Sequence, residues 1–290
     1  MQIECFYDDA IRLLEDGNVD VAVHGLATRL GREHGSGALW KDMRASLQQH
    51  ELYRILMEDP ATARCVTKPR GYAGDAALID LYYDRQPPAE TSRLGADIFA
   101  VTSAFQAAEA VRQRRQDGEM IIEQAWADGN QICVLGCGHF READGLIGKD
   151  VSNIVAVDHD PMALSVVDSK HGGSIDCAES TGFRFLRRAI KSGRKFDLIY
   201  APSLTDYVDN PALQLLYRLA YPCLAPHGRF ILANFVPNHR SVGWMEGVMD
   251  WDLCYRTESG LARIANERGL RAKTWRDATS TIAWCEVQRG

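Results

Sequence analysis

The strongest constraint on this chain is a set of short, unbroken apolar runs after residue 130, each stopping at a turn residue or an acid. Ile132-Cys133-Val134-Leu135 ends at Gly136, and Ile154-Val155-Ala156-Val157 ends at Asp158. Phe196-Asp197-Leu198-Ile199-Tyr200 and Arg229-Phe230-Ile231-Leu232-Ala233 repeat the form, with helical stretches between them. A strand with one face in water alternates apolar and polar residues. A strand that is apolar throughout is covered on both faces, as parallel strands are when helices cross over them. The runs therefore predict an α/β domain with a doubly wound sheet, extended by Ala272–Trp275 and by Thr281–Val287 after a helix near Glu258–Arg268.

The first half reads differently. Ile11, Leu13 and Leu14, then Leu26 and Leu30, then Leu39, Met43 and Leu47 recur at three- and four-residue steps, which is helical spacing. Asp59-Pro60, Lys68-Pro69 and Gln86-Pro87-Pro88 punctuate the pattern. Longer helices are expected from Ile98 to Gln116 and from Glu119 to Ala127, the second closed by Asp128-Gly129. The predicted organisation is an α-helical N-terminal region over 1–115 and an α/β domain over 116–290.

Composition narrows the function classes. With 39 acidic and 33 basic residues the net charge is -6, which argues against a nucleic-acid partner held on a broad basic face. No window approaches the ~20 apolar residues that a membrane span requires. The N-terminus carries Glu4, Asp8 and Asp9 where a secretion signal carries base. The eight cysteines are scattered, with no Cys-x-x-Cys pair, so neither structural zinc nor a disulfide framework is expected. A cytoplasmic protein with reduced thiols is the expectation.

Gly136-Cys137-Gly138 lies where the first strand turns over, and its glycines let backbone approach a ligand closely, next to free N–H groups of the helix expected to follow. Asp158 stands 20 residues after Gly138 at the end of the second strand, where a carboxylate can accept both hydroxyls of a ribose, with His159 beside it. A dinucleotide fingerprint needs a third small residue three positions after the second glycine; here that position is Arg141. A nucleoside cofactor without pyrophosphate, S-adenosylmethionine first, fits this turn better than NAD or NADP.

These residues resemble the class I S-adenosylmethionine-dependent methyltransferases over about 116–290. The resemblance implies a Rossmann-like, doubly wound, seven-stranded sheet with its last strand antiparallel, with Gly136 and Gly138 around the methionine part of the cofactor and Asp158 on the ribose. Ala225–Leu232 resembles the family's turn into strand five. Many members carry an acid two residues before the first glycine, where this chain has Val134; Glu142 or an acid of the helical region is expected to take the cofactor's ammonium instead. Lys68–Asp75, Gly136–Glu142, Phe196–Tyr200 and Asp206-Tyr207 resemble a subgroup with a helical N-terminal extension that includes synthases of 3-hydroxy fatty acid methyl esters.

The segment after strand four, Tyr200-Ala201-Pro202-Ser203-Leu204-Thr205-Asp206-Tyr207, is expected to touch cofactor through Ala201 and Pro202 and acceptor through Asp206 and Tyr207. Adenine is expected after strand three, near Asp176 or Glu179. Arg70, Tyr72 and Asp75 form a candidate lid, although Asp75 also reads as the N-cap of a helix over Ala76–Tyr83. Asn234, Trp251 and Tyr255 are candidates for the acceptor's walls and Arg240 or Arg256 for its clamp, and core packing is at least an equal reading for Trp251 and Met245. A carboxylate acceptor is ionised at neutral pH and needs no base; a phenol or amine does, and His239 is the first candidate for that base, with Tyr72 and Tyr207. No metal site is expected.

The expected function is methylation of a small molecule, foremost carboxyl O-methylation to a methyl ester. The alternatives are N- or S-methylation of an amino-acid-like metabolite in secondary metabolism, and a non-catalytic nucleotide-binding module. A homodimer is the assembly allowed for.

Overall fold

In a computed structural model that describes residues 2–290, every apolar run named above is a strand. β1 (Ile132–Leu135) and β2 (Ile154–Asp158) are buried at every residue, the condition under which unbroken apolar runs are stable. With β3 (Asp176–Glu179), β4 (Phe196–Ala201), β5 (Leu224–Phe235), β6 (Ala272–Arg276) and β7 (Ile282–Gln288) they form one seven-stranded sheet ordered β3-β2-β1-β4-β5-β7-β6. Pairing is parallel from β3 to β5, and β7 runs antiparallel to both β5 and β6. The Rossmann-like doubly wound sheet with an antiparallel last strand is therefore present. Chain order reverses between β1 and β4, the place where such sheets open a crevice beyond the strands' carboxyl ends.

Eight helices precede the sheet: α1 (Gln2–Glu15), α2 (Val19–Glu33), α3 (Ala38–Gln49), α4 (Glu51–Leu56), α5 (Pro60–Thr67), α6 (Ala76–Asp84), α7 (Arg93–Thr102) and α8 (Gln106–Ala127). Five lie between its strands: α9 (Pro161–His171), α10 (Gly182–Ser192), α11 (Asn210–Ala220), α12 (Val242–Gly247) and α13 (Glu258–Asn266). Leu186 of α10, Leu213 and Leu216 of α11 and Leu261 and Ile264 of α13 close one sheet face over Leu135, Val157, Ile199 and Leu232. On the strands' alternate residues Tyr200, Trp284 and Trp275 form a stacked row, with ring centroids 6.2 and 6.0 Å apart.

The chain divides into two compact units, one of residues up to Arg112 with Asn238–Asp252, the other of Gln113–Pro237 with Leu253–Gly290. The sequence reading assigned 238–252 to the α/β domain; the segment instead packs with the helices. Val242, Trp244, Met245, Val248 and Met249 are all buried, and Gly243 lies so close to α2 that a Cβ there would stand 2.5 Å from the Gly31 nitrogen.

Two local expectations are corrected. The helices expected over 98–116 and 119–127 are divided elsewhere: α7 stops at Thr102, and α8 runs unbroken through Gly118. A Cβ at Gly118 would meet Tyr200 Oη at 2.3 Å, so this glycine allows close packing and is not a break. The helix expected after the glycine turn is a six-residue 3₁₀ turn, Arg141–Leu146, entered through Phe140 in the left-handed region at φ 44° and ψ 51°.

Candidate functional site

The crevice is built outward from the ends of β1, β2, β3 and β4. Gly136 and Gly138 adopt φ of +68° and +53°, where a side chain would be strained. The turn is pinned to β2: Gly136 N–H donates to the Val157 carbonyl at 2.8 Å, and Gly138 N–H donates to Asp158 Oδ2 at 2.8 Å. Asp158 Oδ1 accepts from Asp160 N–H at 2.9 Å and lies 3.3 Å from His159 Nδ1. A carboxylate oxygen takes two hydrogen bonds, so Oδ2 keeps an acceptor position beyond the one that Gly138 uses. Asp158 is buried while the His159 ring is 57% exposed, so the acid is part of the crevice's frame and the imidazole sits at its edge.

Glu179 is the register partner of Asp158 on the neighbouring strand and is exposed. Asp176 opens β3 at the far end, beside Val155, and pairs with Arg194 at 3.1 Å. Of the two acids proposed for adenine, only Glu179 is at the carboxyl end. Ala201 and Pro202 are buried where β4 ends, and Leu204 reaches back towards the glycine turn, 3.5 Å from where a Gly136 Cβ would lie. Cys137 is buried, and burial pushes its thiol well above the ordinary range, so it is a packing residue of the turn.

Glu142 is buried behind the turn. Burial raises its carboxyl above the ordinary range, while its own backbone N–H and the charges of Arg114 and Arg115 pull the other way. Arg114 was missed by the sequence reading. Its signal is spacing: Arg114, Gly118 and Ile122 follow at four-residue steps on one buried stripe of α8. Its guanidinium donates to Asp206 Oδ2 at 3.3 Å and lies 5.7 Å from the Phe235 ring centre.

Asp206 and Asn234 are less available than their residue types suggested. Asp206 Oδ1 accepts the Phe235 N–H at 2.8 Å, and burial lifts its carboxyl to about 6 against the pull of Arg114. The Asn234 amide donates to the Cys254 carbonyl at 2.8 Å and accepts from Arg256 at 2.8 Å. Arg256 donates also to the Thr205 carbonyl at 2.7 Å and to Asn210 Oδ1 at 2.9 Å, so it ties the loop after β4 to the end of β5. Tyr207 is 41% exposed on that loop and Tyr255 is half-buried.

The remaining candidates lie in the helical unit. Arg70 and Tyr72 are half-buried. Asp75 caps α6, accepting the Leu78 N–H at 2.9 Å, and holds Arg64 through both oxygens at 2.7 Å. Arg240 is exposed. His239 is buried, and burial with His34 nearby holds its imidazole down to about 4, so the ring is neutral at pH 7. Trp251 joins Tyr82, Phe105, Trp244, Met245 and Met249 around a cavity of about 10 Å³, room for one water-sized group. Among the described residues no three His, Cys, Asp or Glu are grouped to hold a metal ion.

No protein-family model and no curated protein matches this sequence. Among solved structures the chain is similar to a possible exported protein from Bordetella parapertussis, at 15% identity, 94% of this chain and 96% of that one, with a TM-score of 0.60. A proposed O-methyltransferase from Nostoc punctiforme is similar at 14% identity over 81% and 72% of the chains, with a TM-score of 0.50. The fold, a Rossmann-like seven-stranded sheet with an antiparallel last strand, is what this chain shares with these structures. Magnesium protoporphyrin IX methyltransferase from Synechocystis, with S-adenosylmethionine bound, is similar at 14% identity over 64% and 85%, with a TM-score of 0.46. No helix of the described residues is long and apolar enough to cross a membrane.

Proposed function

We propose that this chain is an S-adenosylmethionine-dependent methyltransferase acting on a small-molecule carboxylate to give a methyl ester. The observation that carries the reading is Asp158: a buried carboxylate at the carboxyl end of β2, wired to the Gly138 N–H at 2.8 Å and keeping acceptor capacity on Oδ2. That capacity suits ribose hydroxyls, and Arg141 stands where a pyrophosphate site needs a small residue.

Asp158 would hold the ribose, the Gly136–Gly138 backbone the methionine portion, and Ala201 and Pro202 a side of the crevice, with Glu179 and His159 at its edge. Glu142 would meet the ammonium, because a cation beside a buried carboxylate favours its charged form. The cofactor supplies, when bound, an electrophilic methyl group on a sulfonium. The protein's contribution is alignment and exclusion of water. A carboxylate acceptor arrives already ionised, which agrees with a His239 ring that binds protons weakly. Acceptor selection is assigned to Tyr207 and Tyr255, and 3-hydroxy fatty acids are the first class to offer. A cytoplasmic location is proposed on the eight free thiols.

Titration calorimetry with S-adenosylhomocysteine and with NADH tests the cofactor; binding of NADH alone ends the proposal. Transfer of a labelled methyl to a panel of acids and amines, followed by mild alkali, tests the ester, because alkali releases label from esters and not from N-methyl products. Label that survives alkali assigns N-methylation, and tight cofactor binding without any transfer assigns a non-catalytic module.

A further inference from the structure

Glu142 behind the glycine turn and Asp206 on the loop after β4 are both buried carboxylates, and the charge of the buried Arg114 acts on both. Its guanidinium donates to Asp206 Oδ2 at 3.3 Å. One turn further along the same stripe of α8, Gly118 packs against the other acid: a Cβ there would stand 2.8 Å from Glu142 Cγ and 2.3 Å from Tyr200 Oη. The neighbouring cations are committed elsewhere. Arg115, which also faces Glu142, pairs with Glu119 at 2.7 Å. Arg256, which also faces Asp206, donates to the Thr205 and Val208 carbonyls and to the side-chain oxygens of Asn210 and Asn234. Burial keeps the nearby Cys137 thiol protonated. Both acids therefore lean on Arg114.

Asp206 is itself a clamp. Its Oδ1 accepts the Phe235 N–H at 2.8 Å and its backbone carbonyl accepts the Cys254 N–H at 2.8 Å, so it holds the end of β5 and the chain leading to Tyr255 against the loop that carries Tyr207. When one cation serves two buried acids, its hold on either is weakened by the other, and a second cation beside Glu142 leaves Arg114 to Asp206. We propose that Arg114 is a positioning residue, through which an ammonium held at Glu142 tightens Asp206 and the loop that presents Tyr207. This deepens, and rests on, the reading in which Glu142 meets the ammonium of S-adenosylmethionine. Linkage makes the effect reciprocal: whatever tightens Asp206 favours the ammonium at Glu142 by the same factor. Near pH 6 the pair by itself holds part of a proton, since burial lifts Asp206 to about 6 and raises Glu142, and the ammonium expels it.

The test uses the full chain and S-adenosylhomocysteine, which carries the ammonium. Calorimetry at pH 6 in buffers of different ionisation heat should show release of about half a proton on binding, and close to none at pH 8. Asp206→Asn removes an acid that the ligand does not reach, gives Arg114 wholly to Glu142, and should remove most of the release at pH 6. Amide hydrogen exchange at Phe235 and Cys254 should slow on the order of tenfold when the ligand binds the parent. The slowing should vanish in Arg114→Gln and return in part in Arg114→Lys, which keeps the charge but not the fork. The parent's own exchange and the Asp206→Asn protein decide the matter even where Arg114→Gln does not fold. The proposal is overturned if the ligand binds the parent without slowing these two amides, or if Asp206→Asn releases as much proton as the parent; the cofactor reading then stands. Failure of S-adenosylhomocysteine to bind ends the cofactor reading itself, and this inference with it.

Discussion

Two loops of this molecule share a composition and differ in what their acid is left to do. Gly136-Cys137-Gly138 and Gly71-Tyr72-Ala73-Gly74 each place both glycines at positive φ, +68° and +53° in the first, +88° and +72° in the second. The acid of the first loop arrives from a different strand, 20 residues on, and grips the turn by the Gly138 N–H, its other oxygen accepting from Asp160 N–H. The acid of the second is the next residue, and Asp75 is consumed by the Leu78 N–H and by Arg64. Asp158, delivered by another strand, keeps acceptor capacity for a ligand; Asp75, adjacent in sequence, is claimed by the helix it starts.

The comparison breaks first at ligand binding. Asp158→Ala removes acceptors for two backbone N–H groups as well as for a ribose and should weaken S-adenosylhomocysteine binding by about 100-fold or more, whereas Asp75→Asn should leave it within about threefold. Calorimetry measures both, and equal losses would erase the distinction between the loops. Next is Gly118→Ala in α8. In an ordinary helix this change stabilises by about 1 kcal/mol, but here the new Cβ would lie 2.3 Å from Tyr200 Oη and 2.8 Å from Glu142 Cγ. Urea unfolding should show a loss of about 1–3 kcal/mol, the reverse sign.

Asp75→Ala should cost about 2 kcal/mol by the same measurement, as a lost cap and an Arg64 left without its carboxylate. The smallest effect lies in pH dependence, where the two units should slope in opposite directions. Asp206 is raised from 3.8 to about 6, so the fold binds its proton more readily than the unfolded chain does, and stability falls as pH rises through that window. His239 is lowered from 6.5 to about 4, so the unfolded chain takes up the proton first, and stability falls as pH drops through that window. In melting curves collected across both windows, Asp206→Asn should remove the first slope and His239→Gln the second.

Much of the crevice was legible in the sequence because its parts are local. A buried strand must be apolar, a turn at positive φ favours glycine, and the acid closing β2 sits one residue past an apolar run. The 3₁₀ turn after Phe140 was not legible, because an N–H-rich segment after a glycine turn reads alike for either helix type. Arg114 was visible only as a cation on an apolar stripe, and nothing in its neighbours names Asp206 as its partner.

Composition and periodicity thus determined by themselves the fold class, the strand ends and the acid that closes β2, since each follows from burial and backbone conformation within a few residues. Tertiary structure alone decided that 238–252 belongs with the helices, that Asn234 and Asp206 are tied up while Asp158 keeps acceptor capacity, and that Gly118 must lack a side chain. Those outcomes depend on which distant atoms come within hydrogen-bond or van der Waals reach, and chain order does not encode that separation.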